Sequence, residues 1–181
     1  MDRRHFLRAA AALAAAAVPG LATLRARAQG APAMPPADAP TVDRLELPKA
    51  TWKQLLPADA YAVLFEEGTE RAGTSPLNAE KRTGTFVCAA CYLPLFRSDA
   101  KYESGTGWPS FFQPLPSAVA TKRDWKLVLP RTEYHCARCG GHQGHVFDDG
   151  PKPTGLRYCN NGVALRFVPD GEPLPPLRTG G

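Results

Sequence analysis

Five cysteines carry the first chemical signal in this 181-residue chain, because four fall into two pairs and one stands apart. Cys88-Ala89-Ala90-Cys91 and Cys136-Ala137-Arg138-Cys139 are C-x-x-C turns with 44 residues between them. Two residues between cysteines let one tight turn aim both sulfurs at a single ion, and two such turns complete a tetrahedron of thiolates. The spacing therefore predicts zinc bound by Cys88, Cys91, Cys136 and Cys139, one ion per chain. Four thiolates leave no open position for a substrate, so this zinc is expected to be structural. Two disulfides, or a redox pair, are the alternatives the same spacing allows.

Cys159 has no sequence partner, which suggests either an intermolecular bridge or a reactive thiol; its neighbours favour the second, and it is the candidate nucleophile. An ordinary thiol is mostly protonated at neutral pH, so a working one needs positive charge or donors nearby. Arg157 lies two residues away and would share a face with Cys159 on a strand; a solvated arginine is the plainer reading. Two further clusters have the composition of a site. Ser104-Gly105-Thr106-Gly107-Trp108-Pro109-Ser110-Phe111 offers a turn with flat apolar rings, either a ligand wall or core aromatics capping a turn. Gly141-His142-Gln143-Gly144-His145, followed by Asp148-Asp149-Gly150-Pro151, offers two proton donors and a carboxylate, Asp149, that could orient one of them. A second metal site is the rival reading of that cluster. Asn161-Gly162 is either a pocket residue or a hairpin turn.

These residues need a scaffold, and composition bounds it. With 44% hydrophobic and 22% charged residues, the chain suits one globular domain. Pro57 to Gly68 reads as a helix, opened by proline, with Ala60, Tyr61, Leu64 and Phe65 on one stripe and glycine as terminator. Short β-prone runs follow at Thr85–Val87, Trp125–Leu129, Thr132–His135, His145–Phe147 and Val163–Val168. The expected fold is mainly β, two packed antiparallel sheets with one or two short N-terminal helices. Proline-rich stretches at residues 29–48 and 169–181 read as tethers or surface straps, leaving a domain over 49–168.

The N-terminus is of a different kind. Arg3-Arg4 precedes Phe6-Leu7 and an alanine-rich run ending at Leu24, which resembles a twin-arginine export signal. The run is broken by Pro19-Gly20 and too short and weakly apolar for a permanent anchor. Ala26-Arg27-Ala28 places cleavage after residue 28 and predicts a periplasmic protein with no lasting membrane association. The formal charge of +5 is largely this segment's. Beyond residue 28, 17 basic and 16 acidic residues remain, with no block of like charge, which argues against a nucleic-acid surface.

Taken in order, the two C-x-x-C turns, Ser104–Phe111, Gly141–Pro151, Pro153-Thr-Gly-Leu-Arg-Tyr-Cys159 and Asn161 resemble the peptide methionine-R-sulfoxide reductase family, over roughly Trp52 to Phe167. Glu67-Gly68-Thr69-Glu70 is similar to that family's entry segment. The resemblance implies a β-rich fold with structural zinc, and a thiol-dependent oxidoreductase that repairs oxidised methionine in proteins. Cys159 would attack the sulfoxide sulfur, His145 would protonate the departing oxygen, and His142 and Asn161 would shape and polarise the pocket. Trp108 would wall the substrate's S-methyl group, and Asp149 would hold a histidine. Many members carry a resolving cysteine where this chain has Thr106. A one-cysteine enzyme is therefore expected, recycled by a thioredoxin-like or other external thiol, with a monomer as the expected state. Asn160 and Gly162 replace the apolar residue and the serine common beside the nucleophile. The competing class is a zinc-stabilised β module that binds a ligand through the Trp108 loop without chemistry.

Overall fold

The computed structural model describes residues 42–125 and 130–180. Two short helices lead, α1 (Lys49–Leu55) and α2 (Ala58–Glu66), followed by nine strands: β1 (Gly84–Cys88), β2 (Pro94–Arg97), β3 (Lys101–Tyr102), β4 (Ser110–Phe111), β5 (Val119–Asp124), β6 (Arg131–Cys136), β7 (His142–Phe147), β8 (Arg157–Asn160) and β9 (Leu165–Pro169). They form two antiparallel sheets, one ordered β2-β1-β9 and the other β3-β4-β8-β7-β6-β5. The mainly β architecture matches the sequence reading.

Proline opens α2, as expected, but the helix ends at Glu66, two residues before the glycine. Glu67 takes the left-handed cap at φ 54°, and Gly68 N–H closes back on Ala62 O at 2.9 Å. The buried stripe Ala60, Tyr61, Val63 and Leu64 lays the helix against β7 and the turn before β9. Trp52 of α1 stacks on Phe65 at 4.9 Å. Between the sheets, Phe96 and Phe111 stack at 4.2 Å, with Phe86 edge-on to Phe111 at 4.9 Å, and Tyr134 meets Tyr158 edge-on at 5.2 Å. Such rings bury large areas and prefer these offset or edge geometries.

The two cysteine turns lie at equivalent places. One joins β1 to β2, the other β6 to β7, so they draw together one hairpin from each sheet. Each repeats the same backbone device: the residue after the second cysteine is left-handed, Tyr92 at φ 65° and Gly140 at φ 72°. Its N–H returns to the carbonyl of the first cysteine at 2.9 Å. The C-terminal segment then crosses both turns. Arg178 donates from its backbone N–H to Cys91 O at 3.1 Å and from Nε to Ala90 O at 2.7 Å. Its own carbonyl accepts from Arg138 Nη1 at 2.8 Å, and its guanidinium lies over Tyr92.

The strand expected at Trp125–Leu129 is not where β5 runs: β5 ends at Asp124, Trp125 lies beyond it, and residues 126–129 fall outside the described residues. The expected signal, cleavage point and first 13 residues of the linker, 29–41, also fall outside them. Among the described residues, no helix is long and apolar enough to cross a membrane.

Candidate active site

Strand pairing, rather than loop folding, assembles the site. Ser110 of β4 pairs with Cys159 of β8, Cys159 with His145 of β7, His145 with Glu133 of β6, and Glu133 with Lys122 of β5. Directly paired residues project from one face, so a single row across five strands carries the candidate nucleophile, the candidate acid and two further charges. The strands β7 and β8 close tightly here because residue 144 is glycine: a Cβ would collide with the Cys159 carbonyl oxygen.

Cys159 is half-buried and opens on a cavity of about 160 Å³ lined by Thr69, Trp108, Arg131, His145, Phe147 and Asn161. The Trp108 indole is fixed by a 2.9 Å bond from Nε1 to Glu70 O. Burial pushes the Cys159 thiol up, while Thr106, whose Oγ1 lies 4.0 Å from the sulfur, and the Arg157 guanidinium pull it back. Arg157 is no solvated arginine. It is buried, stacked over Phe147 at 4.3 Å, and doubly bonded to Asp149 at 2.8 Å. Asp149 therefore orients Arg157 and not a histidine, which corrects the sequence expectation.

The histidine partners come from strands the sequence reading did not connect with them. His145 Nε2 lies 2.7 Å from Asp124 Oδ2, which also accepts from Arg131 Nη2 at 2.7 Å. Burial holds His145 below its ordinary value, partly offset by Asp124. His142 is buried and stands outside the cavity lining, its ring 5.5 Å from that of His145 and its Nδ1 3.3 Å from Glu133 Oε1. Asn161 lines the cavity with its amide fully engaged: Oδ1 accepts from Glu70 N–H and Nδ2 donates to Gln143 O, each at 2.9 Å. It opens a short 3-10 turn, Gly162–Ala164, instead of a hairpin. Gly162 N–H donates to Glu70 Oε2 at 2.5 Å, and a side chain at 162 would run into Ser75.

Asn160 turns the other way. Its side chain is wholly buried, accepting from Tyr134 Oη at 2.6 Å and donating to Asn161 O at 2.7 Å and Gln143 Oε1 at 3.4 Å. Gln143 Nε2 donates in turn to Cys88 Sγ at 3.5 Å, so an amide chain joins the nucleophile's neighbour to the cysteine cluster.

The four paired cysteines carry no disulfide, and their sulfurs all lie within 4.8 Å of one another. Cys88 and Cys139 are 3.7 Å apart, Cys91 and Cys136 3.5 Å. A tetrahedron with metal–sulfur bonds of about 2.3 Å has edges of about 3.8 Å, so the set fits a four-coordinate metal ion. Hydrogen bonding with Cys136 holds Cys91 down but pushes Cys88 and Cys139 up, so a bound cation is what would let all four ionise.

Such a scaffold sets four cysteines that fit a metal ion beside a thiol-bearing sheet face, and comparison with known proteins gives the family. The chain belongs to the SelR-domain family, whose model matches residues 56–169, and residues 1–20 match a twin-arginine translocation signal sequence. It is similar to peptide methionine sulfoxide reductase MsrB of Leptospira interrogans, 53% identical over 64% of this chain and 89% of that protein. The namesakes from Agrobacterium fabrum (51% identical, 66% of this chain, 90% of that protein) and Caulobacter vibrioides (50%, 69% and 80%) are comparably alike.

Proposed function

We propose that this chain is an exported peptide-methionine (R)-S-oxide reductase acting in the periplasm on oxidised methionine in proteins. The observation that carries the reading is the shared cavity: Cys159, Trp108 and His145 line one space, while the other four cysteines are gathered in the metal cluster. Family membership and the export signal support it.

In this reading the Cys159 thiolate attacks the sulfoxide sulfur and His145 protonates the sulfoxide oxygen. The new S–S bond and the substrate's S–O bond then break as oxygen passes to Cys159, giving a sulfenic acid and the methionine thioether of the substrate. Trp108 supplies the apolar wall for the S-methyl group, and Asn161 shapes the rim. His142, 3.3 Å from Glu133 and with its ring 5.5 Å from that of His145, helps to shape and polarise the pocket. Two external thiols then return the sulfenic acid to thiol, releasing water and a disulfide, because Thr106 offers no sulfur to resolve it. Cys88, Cys91, Cys136 and Cys139 would hold zinc and so pin one hairpin of each sheet. When bound, it contributes folding free energy and no chemistry at Cys159.

Epimer-resolved turnover with dithiothreitol tests the proposal. The R epimer of a methionine sulfoxide peptide should be consumed, the S epimer spared, and Cys159→Ser should abolish the reaction. Wild-type protein without turnover would favour a non-catalytic binding module. Freshly isolated protein should contain about one equivalent of zinc.

A further inference from the structure

Asp124 closes β5, two strands from His145, and nothing in the local sequence marks it for chemistry. The fold brings its buried carboxylate against the His145 ring at 2.7 Å, on the same oxygen that accepts from Arg131. A carboxylate only accepts hydrogen bonds, so the nitrogen facing it carries the proton: His145 presents Nε2–H. Nδ1 makes no hydrogen bond among the described residues, and the ring lines the Cys159 cavity. Asp124 also borders a second cleft, of about 380 Å³, with Glu67, Lys122, Trp125 and Glu133.

We propose that Asp124 is the positioning residue for proton delivery: by binding Nε2 it fixes the His145 tautomer and reserves Nδ1 for the sulfoxide oxygen. This rests on the reductase reading above. The balance is simple. The imidazolium loses its Nδ1 proton to the oxygen, the neutral ring keeps Nε2–H against Asp124, and the carboxylate stays ionised throughout. Solvent reprotonates Nδ1 once product leaves. Without Asp124 the neutral ring is free to hold its proton on either nitrogen, and to turn.

Charged and titratable groups share the sheet face with the ring: Lys122 and Asp124 on β5, Arg131 and Glu133 on β6, Cys159 and Arg157 on β8. His142 lies on its own strand. Of these, Asp124 alone makes a hydrogen bond to His145. It favours the imidazolium, against burial and Arg131.

Nitrogen-15 NMR of the imidazoles in the zinc-loaded full chain, together with kinetics of Asp124→Asn and Asp124→Glu, tests the assignment. The neutral wild-type ring should be the Nε2–H tautomer. Asp124→Asn should titrate His145 at lower pH and lower kcat roughly 10- to 100-fold, with KM within about twofold. Asp124→Glu should recover part of the loss. Alkylation of Cys159 by iodoacetamide, which needs no acid, should be unchanged in Asp124→Asn. A wild-type Nδ1–H tautomer overturns the proposal even if the variants fail to fold. So does an Asp124→Asn enzyme with unaltered kcat, or one that loses alkylation and turnover together. An inactive wild type would instead strike the reductase reading, leaving the tautomer measurement to stand by itself.

Discussion

Asn160 and Gln143 face each other across β8 and β7 inside the core, Nδ2 to Oε1 at 3.4 Å, both side chains without solvent exposure. Asn160 occupies a position where the resembled family commonly has an apolar residue, and the structure explains how this chain tolerates it. Tyr134, Gln143 and the Asn161 carbonyl satisfy the amide, and Gln143 passes a hydrogen bond on to Cys88. Truncating one member strands the rest. Asn160→Ile and Gln143→Leu should each cost about 1 to 3 kcal/mol in urea unfolding. The double variant should lose less than the sum of the two. Simple additivity would show that the amides are independent.

The Cys159 thiol should titrate above an ordinary thiol, because burial outweighs the help from Thr106 and Arg157. The sign of each neighbour is testable. Arg157→Gln removes a positive charge and should move the pH midpoint of iodoacetamide alkylation upward. Asp149→Asn removes a negative one and should move it downward. Identical midpoints in all three proteins would mean that the Arg157–Asp149 pair does not act on the sulfur.

Thr106 Oγ1 stands 4.0 Å from Cys159 Sγ, close enough for a sulfur at 106 to reach it with a small rotation. Thr106→Cys should therefore convert oxidised enzyme from a dione-trappable sulfenic acid to an internal disulfide, seen by mass spectrometry as the loss of two hydrogens. An internal disulfide already present in oxidised wild type would refute the one-cysteine scheme.

Glu133 makes acid stability informative. Burial pushes its carboxyl up, but His142 and then Lys122 outweigh that and leave it below its ordinary value. A depressed carboxyl stabilises fully above its unfolded value of about 4.3 and loses that contribution as pH falls through the folded value. Glu133→Gln should be less stable than wild type at pH 7, and thermal unfolding should show the gap closing below about pH 4. A gap that holds constant with pH would remove Glu133 from the acid response.

What could be read from sequence was whatever sits close in sequence. The cysteine turns, the Gly-Trp loop and Cys159 are each spelled by a few adjacent residues, and paired-strand β architecture followed from short runs between turn formers. The partners of the histidines could not be read that way. Asp124 lies 21 residues from His145, and Glu70 lies 91 from Asn161. Nearness in the chain points from His145 to Asp149. On the sheet it is Arg157 that takes it, through a pairing that only register fixes. The strand β5 gives little sequence signal because Val-Ala-Thr-Lys-Arg-Asp is mostly polar and exposed, as an edge strand is. The Arg-Tyr-Cys-Asn strand is four residues long and lacks a clean alternation.

The family match ends at Pro169, yet Arg178 is bound to both cysteine turns. A protein trimmed to the matched segment would keep all five cysteines and the Gly-Trp loop, and lose the buckle over its cysteine turns. For expression, crystallisation or fusion, the unit to preserve is set by where the backbone docks, and it outruns the segment that matches the SelR-domain family.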